Sequence, residues 1–69
     1  MVEVFKTNVH EMSQAVKLLS VLYEHFPGSR INFDLEDCDR VLRVEGIEVR
    51  VEKILALVRD NGFFCTELE

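Results

Sequence analysis

Hydrophobic positions change period along this chain, and the changes divide it into six elements. Residues 2–9, VEVFKTNV, are rich in β-branched and aromatic residues and predict a strand. From Glu11 to Phe26 the period lengthens. Met12, Ala15, Leu19, Leu22 and Phe26 recur at intervals of three and four, with Leu18 widening the stripe, which predicts an amphipathic helix with these residues toward the core. Pro27-Gly28 ends it, because proline cannot continue a helix and glycine tolerates positive φ. Residues 30–35, RINFDL, alternate again, with Ile31, Phe33 and Leu35 on one face. The polar run Glu36-Asp37-Cys38-Asp39 predicts a turn, and residues 40–44, RVLRV, the returning strand.

Residues 45–51 admit two readings. Ile47, Val49 and Val51 alternate, so VLRV-EG-IEVRV would make a second hairpin with a two-residue turn. The alternative starts a helix near Val49 or Arg50 and runs it to Asp60, with Val51, Ile54, Leu55 and Val58 on one face. The hairpin leaves only about nine residues for that helix, so the longer helix is preferred. Asn61-Gly62 caps it, and Phe63–Leu68 forms the last strand.

The order β-α-β-β-α-β is the split βαβ pattern. Right-handed crossovers then give an α+β, ferredoxin-like sandwich: a four-stranded antiparallel sheet with two helices on one face. In that topology the first, third and fifth loops emerge at the same end of the sheet. At 69 residues the chain is expected to be a single domain with a small core.

Composition narrows the function classes. The net charge is −5, and the 8 Lys and Arg are scattered among 13 Asp and Glu. Nucleic-acid binding needs clustered cations to displace phosphate counterions, so neither nucleic acid nor an anionic membrane is expected as a partner. Met1–Lys6 lacks the basic flank and apolar run of a signal peptide, and no run approaches the roughly 20 apolar residues of a membrane span, so a cytoplasmic location is expected. Cys38 and Cys65 are too few and too far apart for a disulfide scaffold or a zinc site, and read as reduced thiols. No Ser/His/Asp or Cys/His signature and no phosphate-binding glycine loop appears, and His10 and His25 stand at opposite ends of one helix. The chain reads as non-catalytic.

Several segments together resemble the heavy-metal-associated (HMA) domains. EKILALVRDNGF, residues 52–63, is similar to the end of that domain, where a helix runs into a Gly-aromatic turn before the last strand. FPG at 26–28 followed by INFDLED resembles the link from first helix to second strand, and FKTNV at 5–9 its first strand. The resemblance implies soft-metal handling at a Met-x-Cys-x-x-Cys motif where the first strand meets the first helix. Two thiols there converge on one ion, and the helix N-terminus favours their thiolate forms.

Here that junction reads Asn8-Val9-His10-Glu11-Met12-Ser13-Gln14-Ala15. The family cysteines fall on Met12 and Ala15, or on Glu11 and Gln14, and neither alignment recovers a thiol. The leading expectation is therefore an HMA-like domain without the dithiolate site, with no metal, serving as an interaction or regulatory module for another protein. It would be a monomer or a weak homodimer. Its working end would carry His10, Met12, the acidic turn and Phe63. Four acids, Asp34, Glu36, Asp37 and Asp39, surround that turn; they lack the glycine and spacing of a calcium loop but would steer a basic partner.

Two alternatives stand beside it. A weak Cu(I) or other soft-ion site would use His10, Met12 and Cys38, whose loops topology places at one end. A dimeric small-ligand sensor rests on fold analogy. Cys65, after Phe63-Phe64, reads as a buried small hydrophobe. Val21 and Leu57 lie off the main stripes and read as partly exposed.

Overall fold

The structure is a computed structural model and describes residues 1–68. The elements are β1 (Val2–Thr7), α1 (Met12–His25), β2 (Arg30–Asp34), β3 (Val41–Glu45), α2 (Val51–Asp60) and β4 (Cys65–Glu67). The strands form one sheet in the order β2-β3-β1-β4, with every neighbouring pair antiparallel. This is the α+β, ferredoxin-like arrangement expected from the hydrophobic periods.

Register sets the two faces. Phe5 lies opposite Leu42, Ile31 opposite Val44 and Thr7 opposite Cys65, and all six are buried beneath the helices. From the helices Ala15, Leu18, Leu22, Ile54 and Val58 complete one cluster with them, each no more than 1% exposed. Fully burying a side chain of the Leu, Ile or Phe type contributes about 1.5–3 kcal/mol relative to leaving it exposed. The opposite face is mostly polar, with Lys6, Arg30, Asn32, Arg43, Glu45 and Thr66 exposed or half-exposed.

The ambiguous stretch is resolved in favour of the helix. β3 already has β1 on one side and β2 on the other, so no edge remains for a further hairpin strand. Ile47, Val49 and Val51 do not share one buried face: Ile47 is 97% exposed while Val49 is 7% exposed. The helix begins at Val51, one or two residues later than the pattern predicts. Its end is a Schellman motif. Phe63 N–H donates to the Val58 carbonyl and Gly62 N–H to the Arg59 carbonyl, with Gly62 at φ 92°.

Two details of α1 differ from expectation. Leu18 is the centre of the core-facing stripe rather than its margin, and Met12 is 69% exposed rather than core-facing. Met12 is the first helical residue, and helical side chains lean toward the N-terminus, which carries it past the end of the core. Val9, just beyond β1, is fully buried.

Candidate functional site

The sheet register places the end of β1, the end of β2 and the starts of β3 and β4 together, so loops 8–11, 35–40 and 61–64 meet at one end. Hydrogen bonds stitch them to each other. Thr7 N–H donates to the Asp39 carbonyl at 3.1 Å, and Thr7 Oγ1 donates to the Arg40 carbonyl at 2.6 Å. Phe64 N–H donates to Asn8 Oδ1 at 2.9 Å, and Lys6 pairs with Asp39 at 3.5 Å. The end is a fixed surface built from three separate loops.

At the β1–α1 junction the backbone donors are met locally. Gln14 Oε1 accepts from the N–H groups of His10 at 3.4 Å and Glu11 at 3.3 Å, reaching back over the helix start as in a capping box. Gln14 is thereby committed to the cap, Ala15 is buried in the core, and Glu11 and Met12 are exposed. His10 is exposed, and its Nδ1 lies 2.8 Å from the Asn8 carbonyl. A carbonyl only accepts, so Nδ1–H is the donor in this contact, the tautomer that leaves Nε2 as the acceptor of a neutral ring.

The β2–β3 turn holds the third residue of the sequence-derived metal set. Cys38 is exposed, and its donor atom lies within 4.8 Å of carboxylate oxygens of Asp37 and Asp39. Both acids have structural roles. Asp37 Oδ1 accepts from Asp39 N–H at 2.8 Å, Asp37 O accepts from Arg40 N–H at 3.0 Å, and Asp39 bonds Lys6. Asp34 Oδ1 likewise accepts from Glu36 N–H at 3.2 Å. These are the short side-chain-to-backbone bonds that shape turns. His10 is not in the Asp37–Cys38–Asp39 group. The fold thus brings the loops of His10, Met12 and Cys38 to one end, and it groups Cys38 with its sequence neighbours.

Apolar groups at this end were only partly anticipated. Phe63 is half-buried against the core, whereas Phe64 is 52% exposed. Strand alternation contained that signal, since Cys65 faces the core and Phe64 must face away from it. Cys65 is 1% exposed, and burial pushes its thiol up to about 11 against the lowering effect of Arg59. It behaves as the small hydrophobe expected. Val21 and Leu57 are half-buried, as their spacing predicts.

The opposite end holds an open groove of ≈ 310 Å³ beside Phe26, Ile47, Arg50 and Lys53, with the Lys53 ammonium 5.9 Å from the centre of the Phe26 ring. Among the described residues no helix is long and apolar enough to cross a membrane. No family model, curated protein or solved structure matches the chain.

Proposed function

We propose that the chain is a non-catalytic, HMA-like interaction or regulatory module that has lost the dithiolate site and engages another protein. The observation that supports it is the end formed by loops 8–11, 35–40 and 61–64. At that end Met12, 69% exposed at the start of α1, and Phe64, 52% exposed just before β4, are exposed apolar groups, and the 35–40 turn carries acidic side chains. Apolar anchors within a charged surround are the composition of a docking surface. In either alignment the second position of the family motif is occupied by a side chain with another task, Ala15 in the core or Gln14 in the cap. The open sheet face alternates Lys6, Arg30 and Arg43 with Asp34 and Glu45, an arrangement suited to solvent rather than to phosphates.

A photo-crosslinking amino acid at position 12 or 64 should give one discrete protein adduct in cells of the source organism. The same group at Asn32, on the open sheet face, should give none. Equal labelling from all three positions would count against a docking end.

One observation favours a second reading. His10 has Nδ1 held by the Asn8 carbonyl, which leaves Nε2 outward, the preparation a metal-ligating imidazole receives from its supporting hydrogen bond. Titrating Cu(I) and Zn(II) into the reduced protein while following amide shifts decides between the two. Sub-micromolar binding with shifts confined to residues 8–15 and Cys38 would replace the interaction reading by a soft-ion site.

A further inference from the structure

The first turns of α1 and the end of α2 meet at the loop end of the sheet, and a cleft of ≈ 170 Å³ opens between them. Gln14, Lys17 and Leu18 of α1 line one side, and Asn61 and Phe63 of the α2–β4 connection line the other. Leu18 is 1% exposed and Phe63 half-buried, so the apolar part of the lining is continuous with the core.

The polar part of the lining has a defined sense on each side. Gln14 Oε1 accepts from the His10 and Glu11 N–H groups, so the amide atom left over is Nε2, a donor. Asn61 Nδ2 donates to the Leu57 carbonyl at 2.8 Å, so the atom left over there is Oδ1, an acceptor. The partners dictate both assignments, since a backbone N–H needs an oxygen and a carbonyl needs an N–H. Among the described residues Lys17 makes no ion pair, and Gln14 Nε2 and Asn61 Oδ1 have no partner in the protein. No described acidic residue lines the cleft; Glu11 and Asp60, the nearest acids in sequence, are exposed and outside it.

The two sides therefore differ in sign. The α1 side offers donors, one of them a cation, at the helix end that carries partial positive charge. The α2 side offers an acceptor, at the helix end that carries partial negative charge. A ligand that satisfies both has an anionic group facing α1, a donor facing α2 and a short apolar part for Leu18 and Phe63. The volume is well below the about 300–1,000 Å³ of sites for drug-sized molecules, which limits the ligand to a few heavy atoms. We propose that this cleft binds a free α-amino acid with a small apolar side chain, its carboxylate on Lys17 and Gln14 and its ammonium on Asn61. The site goes beyond the interaction-module reading, and neither depends on the other.

L-Valine, isovalerate and isobutylamine share one carbon skeleton and test each side in turn, because isovalerate lacks the amine and isobutylamine the carboxylate. Each is titrated to about 20 mM into isotope-labelled protein while backbone and side-chain amides are followed. L-Valine should shift residues 14–18 and 61–63 and the side-chain NH2 signals of Gln14 and Asn61, with a Kd of about 1 mM for so small a ligand. Isovalerate should bind about 5-fold more weakly, and isobutylamine should leave these signals in place. Lys17→Met keeps the length of the side chain, removes its charge and should weaken L-valine at least ~10-fold. Lys17 is exposed, so the fold should survive that change. Asn61→Ala should make L-valine and isovalerate bind alike; should the loss of this cap disturb α2, the ratio of the two ligands on the parent chain carries the same test. Absence of local shifts at the highest concentration, equal binding of isobutylamine, or undiminished binding to Lys17→Met would overturn the proposal. Equal affinity of L-valine and isovalerate for the parent chain would overturn the amino-acid assignment, and shifts centred on the Arg50–Lys53 groove would overturn the site.

Discussion

The Tyr23 hydroxyl donates to the Ile31 carbonyl at 3.0 Å and accepts from the Ile31 N–H at 3.1 Å. One side chain of α1 thus occupies both peptide groups that the edge strand β2 turns outward at that residue. The other edge has a similar guard from α2, because Arg59 Nε and Nη2 donate to the Cys65 carbonyl at 3.1 and 2.8 Å. Exposed strand edges invite pairing with other chains, and here each helix sends one polar group over the edge it packs against.

Tyr23→Phe keeps the ring and removes the hydroxyl. The expected loss is about 1 kcal/mol, the net worth of ordinary hydrogen bonds whose partners return to water at an edge. The variant should also self-associate more than the parent as the β2 edge opens. Urea unfolding reads the first effect and sedimentation the second. Unchanged values in both would show that the hydroxyl protects nothing.

Cys65 gives a pH dependence of defined sign. Its folded thiol titrates near 11, above the ordinary 9.0, because burial disfavours the thiolate. Between those values the unfolded chain holds fewer protons than the folded one, so stability falls as pH rises. The contribution is complete below about pH 9 and is lost by about pH 11, a change of at most roughly 3 kcal/mol. Urea midpoints measured across that range should lose this component of the slope in Cys65→Ala. At pH 8 a thiol reagent should label exposed Cys38 promptly and Cys65 only after unfolding. Equal labelling rates in the folded protein would contradict the burial of Cys65.

Gly46 is required by space rather than by a positive φ. A Cβ placed there would come within 2.6 Å of Ser29 Oγ and 3.3 Å of Ser29 Cβ. Rotating the serine relieves the first contact and leaves the second. Gly46→Ala should therefore cost about 1–2 kcal/mol, the lower range of overpacking, and Ser29→Gly in the same chain should recover most of it. Additive losses in the double variant would place the cost elsewhere.

Element order was legible because burial on one side imposes a period, and the periods of Ala15–Leu22 and Ile54–Val58 match the faces they bury. The exposure of Met12 was not legible. It is spaced three from Ala15, yet around the helix it falls with the exposed Val16 and Tyr23 rather than with Ala15, Leu18 and Leu22, and it also stands at the helix start. The roles of Tyr23 and Arg59 were equally hidden, since their partners are backbone atoms of strands and no side-chain pattern marks those. At the candidate site topology was enough to assemble the loops of His10, Met12 and Cys38. It was not enough to say which donors meet, because hydrogen bonds inside the 36–39 turn set the direction of Cys38.

Thr7 links the strand framework to the proposed docking end, and its loss should be felt at both. It is 4% exposed, donates through Oγ1 to the Arg40 carbonyl at 2.6 Å and accepts from the buried Val9 N–H at 3.2 Å. Among the described residues no buried side-chain N or O lacks a partner, so this end has no slack in its polar pairing. Thr7→Val preserves shape and leaves the Val9 donor and the Arg40 acceptor without the hydroxyl. An unmet buried group costs about 1–3 kcal/mol, so a loss of about 2 kcal/mol is expected in urea unfolding. Arg40 sits at φ 45°, a backbone state that needs its surroundings to hold it, so the 35–40 turn should loosen first. Amide exchange should therefore accelerate at Val9 and Arg40 well before it does at Leu42 or Val44 in the centre of the sheet. Uniform acceleration across the sheet would show that Thr7 supports global stability alone, and the loop end would then owe its order to the remaining bonds of Asn8 and Asp39.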